Sequence, residues 1–282
     1  MWDSAVNFIE QRLRASTPYP EFMSTFDWRT ATPEEVDYQY SPSRHSLRPL
    51  SEYLDEYHER SIRHKAQDLR ITQRPLLIYI HGGYWQRLSA ADSLFNADDA
   101  IALGVSLHAV EYTLAPHATV EQIVHECLID VARVIDELRP TRVVVAGCSA
   151  GAQLTAMCAR DAEIASRIDA AVMLSGIYDL RPLIVTPTND PLHLNENSAL
   201  SLSPQLLNPS QLLRRALLAV GRHESDEFIR QNADYAMHLQ EIGTHVDSCV
   251  VDNRDHFNLP YDLLKRGTIV GDWTLEVLLG ES

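Results

Sequence analysis

Short apolar runs recur along the chain from Pro75 onward, and longer amphipathic segments separate them. In chain order the runs are LLIYI, VSLHAVEY, RVVVAG, AAVMLSG, RALLAVG and VDSCVV. Each has the length and the β-branched content of a strand buried on both faces. The separating segments near residues 90–103, 120–138, 152–160 and 227–242, and a final one near Tyr261, favour helices. This alternation predicts an α/β fold with a mostly parallel central sheet flanked by helices on both faces.

Residues 1–70 differ from the rest of the chain. They are rich in Tyr, Arg, Glu and Pro and contain little that resembles a buried strand. Amphipathic stretches near residues 6–13 and 50–64 favour helices. No repeat or Gly/Ser linker divides the sequence. We therefore expect one domain over residues 1–282, in which a helical N-terminal segment, interpreted as a partial lid, precedes a core over residues 71–282.

Composition and charge narrow the class of protein. Hydrophobic residues make up 45% of the 282 residues and charged residues 22%, as in folded globular chains. The formal charge of -15 would repel a phosphate backbone, so nucleic acid is not an expected partner. The N-terminal residues lack the basic start and apolar run of a signal peptide, and no stretch is apolar enough to span a bilayer. A cytoplasmic protein with no membrane partner is the expectation.

The strongest chemical signal is Gly147-Cys148-Ser149-Ala150-Gly151, between the run RVVVA and a helical segment. A nucleophilic serine on a sharp strand-to-helix turn needs small neighbours so that the backbone can bend and expose the hydroxyl. Glycine on both sides meets that requirement. No lysine follows to complete a phosphate-binding loop, so a nucleophile at Ser149 is favoured over a phosphate site.

A second motif, His81-Gly82-Gly83-Tyr84-Trp85, follows the run LLIYI. Its glycines allow backbone N–H groups to approach a substrate oxygen, so an N–H of Gly83 or Tyr84 is expected to form an oxyanion hole together with that of Ala150. His81 is interpreted as structural. For Tyr84 and Trp85, packing beneath the loop and lining an aromatic substrate pocket both stay open.

A serine hydroxyl needs a base, and a base needs an orienting acid. His256 follows the run VDSCVV near the end of the chain, and we predict that it is the base. For the acid, Glu224 is preferred because of its spacing from Gly221, with Asp226 as the alternative. The order Ser, acid, His agrees with the α/β-hydrolase fold and disagrees with the chymotrypsin and subtilisin orders.

Beyond these motifs, the chain resembles the α/β-hydrolase type of arylformamidase, the kynurenine formamidases, over about residues 36–260. The matching segments are YSPSR at 40–44, HGGYWQ at 81–86, YTLAP at 112–116, the GCSAG turn, LSGIYDLRPL at 174–183, EFIRQ at 227–231 and DHF at 255–257. The resemblance implies metal-independent cleavage of an N-formyl group from an aromatic amine, typically N-formylkynurenine, by Ser149, Glu224 and His256. Cys148 stands where this family usually has histidine, and Glu224 where it more often has aspartate.

Metals and cofactors are not expected. The segment Gly243-Thr244-His245-Val246-Asp247 looks like part of a metal-binding motif of an unrelated formamidase family, but Glu241 stands where that motif has a histidine. The cysteines at 127, 148, 158 and 249 form no CxxC pair, so they indicate neither zinc nor disulfides.

Three functions stay open at this point. The first is hydrolysis of an aryl formamide through a formyl-enzyme, with a small aromatic molecule as the partner. The second is a carboxylesterase or carbamate hydrolase that acts on small aryl esters. The third, from another class, is a binding protein that keeps the hydrolase fold without catalysis. A homodimer is compatible with each of them.

Overall fold

The computed structural model describes residues 26–208 and 213–280, so the amphipathic stretch near residues 6–13 lies outside the described part. Six parallel strands form one sheet in the order β2-β1-β3-β4-β5-β6. The strands are β1 (Leu76–Ile80), β2 (Ser106–Val110), β3 (Val143–Cys148), β4 (Ala170–Leu174), β5 (Arg215–Gly221) and β6 (His245–Val251). All six coincide with the predicted apolar runs, and the predicted α/β class is confirmed.

Helices connect the strands and cover both faces of the sheet. They are α1 (Pro33–Gln39), α2 (Leu50–Ser61), α3 (Ala97–Leu103), α4 (Val120–Leu138), α5 (Ala150–Arg160), α6 (Ala162–Arg167), α7 (Glu196–Ser201), α8 (Asp226–Glu241) and α9 (Ile269–Leu279). None of the helices in the described ranges combines the length and apolarity needed to cross a bilayer.

Two predicted helices are interrupted. The helix expected over residues 90–103 is a 3₁₀ turn at Ala90–Asp92 followed by α3 from Ala97, and the residues between the two pieces include the buried Leu94 and Phe95. The segment near Tyr261 is likewise a 3₁₀ turn, Leu259–Asp262, and α9 begins eight residues after Tyr261, at Ile269. Side-chain periodicity does not resolve such breaks, since both pieces bury their apolar residues.

Alternating strand residues pack into two separate layers. In β1, Leu76, Ile78 and Ile80 face the layer that contains α4, α5 and α8. Leu77 and Tyr79 face the layer that contains α3 and α9. Both faces of the central strands are therefore buried from solvent, which explains why the runs are continuously apolar rather than alternating.

The strand order places a crevice between β1 and β3. The chain passes from β1 to β2 on one side and then crosses to β3 on the other, so the connections after β1 and β3 diverge. Such a switch point opens a cleft at the carboxyl ends of the strands. Ile80 of β1 lies opposite Gly147 of β3. The two motifs that follow these strands are therefore neighbours in space.

Candidate active site

Ser149 occupies a sharp turn between β3 and α5. It is the N-cap of α5, with φ 60° and ψ -123°, a conformation that residues with a Cβ rarely adopt. Its backbone N–H donates a 2.9 Å hydrogen bond to the carbonyl of Leu174 at the end of β4. The neighbouring strand thus holds the strained turn in place.

The glycines on either side of Ser149 are required by contact distances. A Cβ added at Gly147 would lie 2.2 Å from the carbonyl oxygen of Gly151. A Cβ added at Gly151 would lie 2.0 Å from the carbonyl oxygen of Ile80. Both distances are far below van der Waals contact, and both obstacles are backbone atoms that cannot rotate away. The sheet-to-helix packing at this turn therefore excludes every other residue type.

The loop after β1 lies directly against the serine. A Cβ at Gly82 would lie 3.1 Å from the Cβ of Ser149. Three successive residues, Gly83, Tyr84 and Trp85, have positive φ angles of 93°, 54° and 60°. Hydrogen bonds from the N–H groups of Gln86 and Arg87 to the carbonyl of Gly83 close this turn.

The expected oxyanion donors sit on this loop and on α5. Within the described ranges, the backbone N–H groups of Gly83 and Tyr84 donate to no protein acceptor. Ala150 is the first residue of α5, where an N–H has no acceptor within its own helix. These three groups lie beside the turn at Ser149, and their role as oxyanion donors stays a prediction.

Tyr84 and Trp85 have different surroundings. Tyr84 lines the cavity described below, and its hydroxyl donates to the carbonyl of Tyr40. Trp85 is fully buried behind the loop, where its Nε1–H donates to Oε1 of Gln153 at 3.2 Å, and it is not part of the cavity wall. The geometry gives Trp85 packing contacts and leaves Tyr84 as the aromatic ring of this motif that a ligand could reach.

His256 and Glu224 form a close buried pair. Nδ1 of His256 lies 2.7 Å from Oε2 of Glu224, and both residues are more than 90% buried. Asp226 is instead the exposed first residue of α8. Of the two carboxylates that the sequence left open, the structure brings only Glu224 to the imidazole.

The second oxygen of the Glu224 carboxylate is also hydrogen-bonded. Oε1 accepts from the Ser175 hydroxyl at 2.6 Å and from the Gly221 N–H at 2.7 Å. The carboxylate is thereby fixed in both position and rotation. Ser175 is not among the residues expected from the sequence, although a polar residue directly after β4, at the carboxyl edge of the sheet, is a signal that could have identified it.

The residue before the histidine anchors its loop to the N-terminal segment. Asp255 is completely buried, and its Oδ2 accepts from the Leu47 N–H and the Tyr53 hydroxyl, both at 2.7 Å. Its Oδ1 accepts from the N–H groups of Phe257 and Asn258. A buried carboxylate with four donors is well compensated. Nothing in the local sequence identifies Tyr53 or Leu47 as its partners.

A cavity of about 590 Å³ opens above the serine turn. Ser149 and His256 both line it, together with Cys148 and Tyr84. The rest of the wall is Tyr40, Ser41, Pro42, Ser43, Leu50, Leu54, Tyr57, Tyr79, Gly82, Gly83, Gln86, Arg87, Leu88, Asp92, Pro187, Thr188 and Phe257. Residues 40–57 thus form part of the wall, while the lid-like role and the domain boundaries stay predictions.

A wider depression of about 660 Å³ beside α4 contains none of the candidate catalytic residues.

Burial raises the pKa of the Cys148 thiol well above its usual range. The thiol lies 3.5 Å from the carbonyl oxygen of His256, to which it donates. A neutral thiol at this position supports the histidine loop and leaves proton transfer to other groups.

His81 lies at the start of the loop that follows β1. Its ring stacks on Tyr112 at 4.1 Å, and its Nδ1 is 3.0 Å from the carbonyl of Gly82. The Tyr112 hydroxyl donates to the carbonyls of His81 and Gly82. Burial lowers the pKa of His81 to about 4. The imidazole is therefore neutral at physiological pH and packs as part of the loop's support.

The predicted metal-free segment at 243–247 lies where helix α8 gives way to β6. Oδ2 of Asp247 lies 3.5 Å from Nη2 of Arg215 and 3.8 Å from Nε2 of His245, and the His245 side chain is 70% exposed. Across residues 26–208 and 213–280, no three His, Cys, Asp or Glu side chains converge as metal ligands would.

A family model described as an alpha/beta hydrolase fold matches residues 77–259. Kynurenine formamidase of Salmo salar is 31% identical over 89% of this chain and 97% of its own length. Kynurenine formamidase of Danio rerio is 29% identical over 89% of this chain and 98% of its own. The chain belongs to the kynurenine formamidase family of α/β hydrolases. It is accordingly a hydrolase enzyme.

Solved structures agree on the fold of this family member. A Silicibacter protein described as a candidate thioesterase superposes with a TM-score of 0.75 at 21% identity, covering 87% of this chain and 99% of its own. At that identity the likeness concerns the architecture alone.

Proposed function

We propose that this family member is a serine hydrolase that cleaves the formamide bond of an N-formylated aromatic amine of the N-formylkynurenine class. The observation that carries the proposal is the 2.7 Å contact of His256 Nδ1 with Glu224, at a histidine that shares a cavity wall with Ser149. The names of the two fish relatives supply the substrate class.

The hydrogen bond to Glu224 selects the histidine tautomer. A neutral imidazole carries one N–H, and with that proton on Nδ1 the Nε2 atom is free to accept one. Nε2 takes the hydroxyl proton of Ser149 as Oγ forms a bond to the formyl carbon. The developing oxyanion is stabilised by the N–H groups of Ala150 and of Gly83 or Tyr84.

Collapse of the tetrahedral intermediate breaks the bond between carbon and nitrogen. The imidazolium of His256 gives its proton to the departing nitrogen, so that a neutral aryl amine leaves and a formyl ester remains on Ser149. Water then attacks the formyl carbon and gives a proton to His256. The Oγ–C bond breaks, Oγ regains its proton, and formate is released.

The decisive measurement is kcat/KM on N-formylkynurenine beside short aryl esters, for the wild type and Ser149→Ala. We expect formate and free amine from the formamide, and a loss of about 10⁴-fold or more in kcat for the variant. Ester hydrolysis without formamide hydrolysis would replace the formamidase assignment by an esterase assignment. Failure of a fluorophosphonate probe to label Ser149, together with no turnover, would favour the non-catalytic binding protein.

A further inference from the structure

The cavity wall carries one arginine and one aspartate on an otherwise aromatic, aliphatic and neutral polar surface. These are Arg87 and Asp92, which both belong to the connection between β1 and α3. Among the described residues of this wall, His256 is the only further basic side chain. A ligand that fits such a surface is aromatic and bears both a negative and a positive charge.

The guanidinium of Arg87 is available to an anion. Its side chain is exposed and makes no hydrogen bond or ion pair with any residue in the described ranges. Its backbone N–H donates to the carbonyl of Gly83 at 3.1 Å, so the loop after β1 sets the position from which this side chain extends. An arginine presents a planar pair of donors that matches a carboxylate.

The carboxylate of Asp92 is held in place by two neighbouring side chains. The Ser89 hydroxyl donates to its Oδ2 at 2.7 Å, and Nδ1 of His58 lies 3.1 Å from its Oδ1. Each carboxylate oxygen can accept two hydrogen bonds, so both oxygens keep a site for a further donor. An ammonium group of a ligand suits that site.

We propose that the cavity binds the amino acid end of the leaving group, with Arg87 on the α-carboxylate and Asp92 on the α-ammonium. This inference rests on the function proposed above, because kynurenine is an aromatic amine with an α-amino acid side chain. The two residues determine specificity, whereas bond cleavage remains with the groups beside Ser149. A volume of about 590 Å³ suits a ligand of this size.

Three formamides that differ in one charge each test the proposal. They are N-formylkynurenine, N-formylkynuramine, which lacks the carboxylate, and the des-amino analogue 4-(2-formamidophenyl)-4-oxobutanoate. For the wild type, removal of the carboxylate is expected to lower kcat/KM about tenfold, the size of one partly exposed charge-assisted contact. Arg87→Gln is expected to cause the same loss on N-formylkynurenine, mainly through KM, and to change N-formylkynuramine less than about twofold.

Asp92→Asn is expected to lower kcat/KM about tenfold on N-formylkynurenine, and to change it less than about twofold on the des-amino analogue, which lacks the ammonium group. Arg63→Gln, which removes an exposed arginine outside the cavity wall, is the control for net charge. If the wild type cleaves the formamides but Arg87→Gln alters all three equally, or none, the subsite is wrong while the formamidase function stands. If the wild type cleaves none of them, both proposals fall.

Discussion

The hydroxyl of Tyr53 donates a 2.7 Å hydrogen bond to Asp255, a residue 202 positions away along the chain and directly before His256. The Tyr53 ring also stacks on Phe257, directly after His256, at 5.4 Å. Helix α2 and the histidine loop are therefore packed together. The position of the proposed base depends on the N-terminal segment as well as on β6.

Tyr53→Phe tests this dependence. Loss of one donor to a buried carboxylate is expected to lower the free energy of unfolding by about 1–2 kcal/mol. We expect kcat to fall about three- to tenfold, since Asp255 keeps its backbone donors and a small shift of the base is enough to slow catalysis. Urea unfolding and steady-state kinetics measure the two effects. Tyr38→Phe, at a residue that is 45% exposed, is the control and should leave both unchanged.

Glu224→Gln is expected to lower kcat by about 10²- to 10⁴-fold, because an amide no longer favours the Nδ1–H tautomer or stabilises the imidazolium. Asp226→Asn removes the neighbouring exposed carboxylate and should leave kcat within about twofold. The comparison is made by steady-state kinetics on one substrate. The opposite ranking of the two variants would mean that Asp226 is the acid.

Gly151→Ala is expected to destabilise the protein by more than about 3 kcal/mol, because the new Cβ would lie 2.0 Å from the carbonyl oxygen of Ile80. Gly280→Ala is a matched control: Gly280 has φ 66° and no atom within 4 Å of the added Cβ, so only the conformational cost of about 1 kcal/mol remains. The denaturant concentration at the midpoint of unfolding measures the loss of stability in each variant. Equal losses would contradict the steric explanation of the turn.

His81 should make stability depend on pH in acid. Its pKa is lowered by burial from 6.5 to about 4, so between these values the unfolded chain binds a proton that the folded chain excludes. Stability therefore falls as the pH falls through this window, by about 3 kcal/mol from this residue. The free energy of unfolding of the wild type minus that of His81→Gln, measured from pH 8 to pH 4, should decline accordingly. If this difference did not change with pH, His81 would bind a proton as readily in the folded protein as in the unfolded chain.

The sequence predicted all six strands, since each is a continuous apolar run, but it merged two helices with their preceding turns. Leu94 and Phe95, between the 3₁₀ turn and α3, are as apolar and as buried as helix residues would be, so hydrophobicity alone does not reveal the break. Trp85 illustrates the same limit. Its place in HGGYW was compatible with a pocket wall or with packing, and only the neighbouring Gln153 decides where the indole lies.

Amino-acid sequence alone specifies the parts of this protein whose requirements are local. A serine turn between a strand and a helix needs glycine at fixed neighbouring positions, and those positions can be recognised without coordinates. The folded arrangement of the chain fixes the parts that depend on distance through space: that Glu224 rather than Asp226 meets His256, that Tyr53 supports Asp255, and that Arg87 and Asp92 share a wall with Ser149. Those relationships arise from the packing of elements far apart in the chain, which hydrophobic periodicity and motif spacing do not encode.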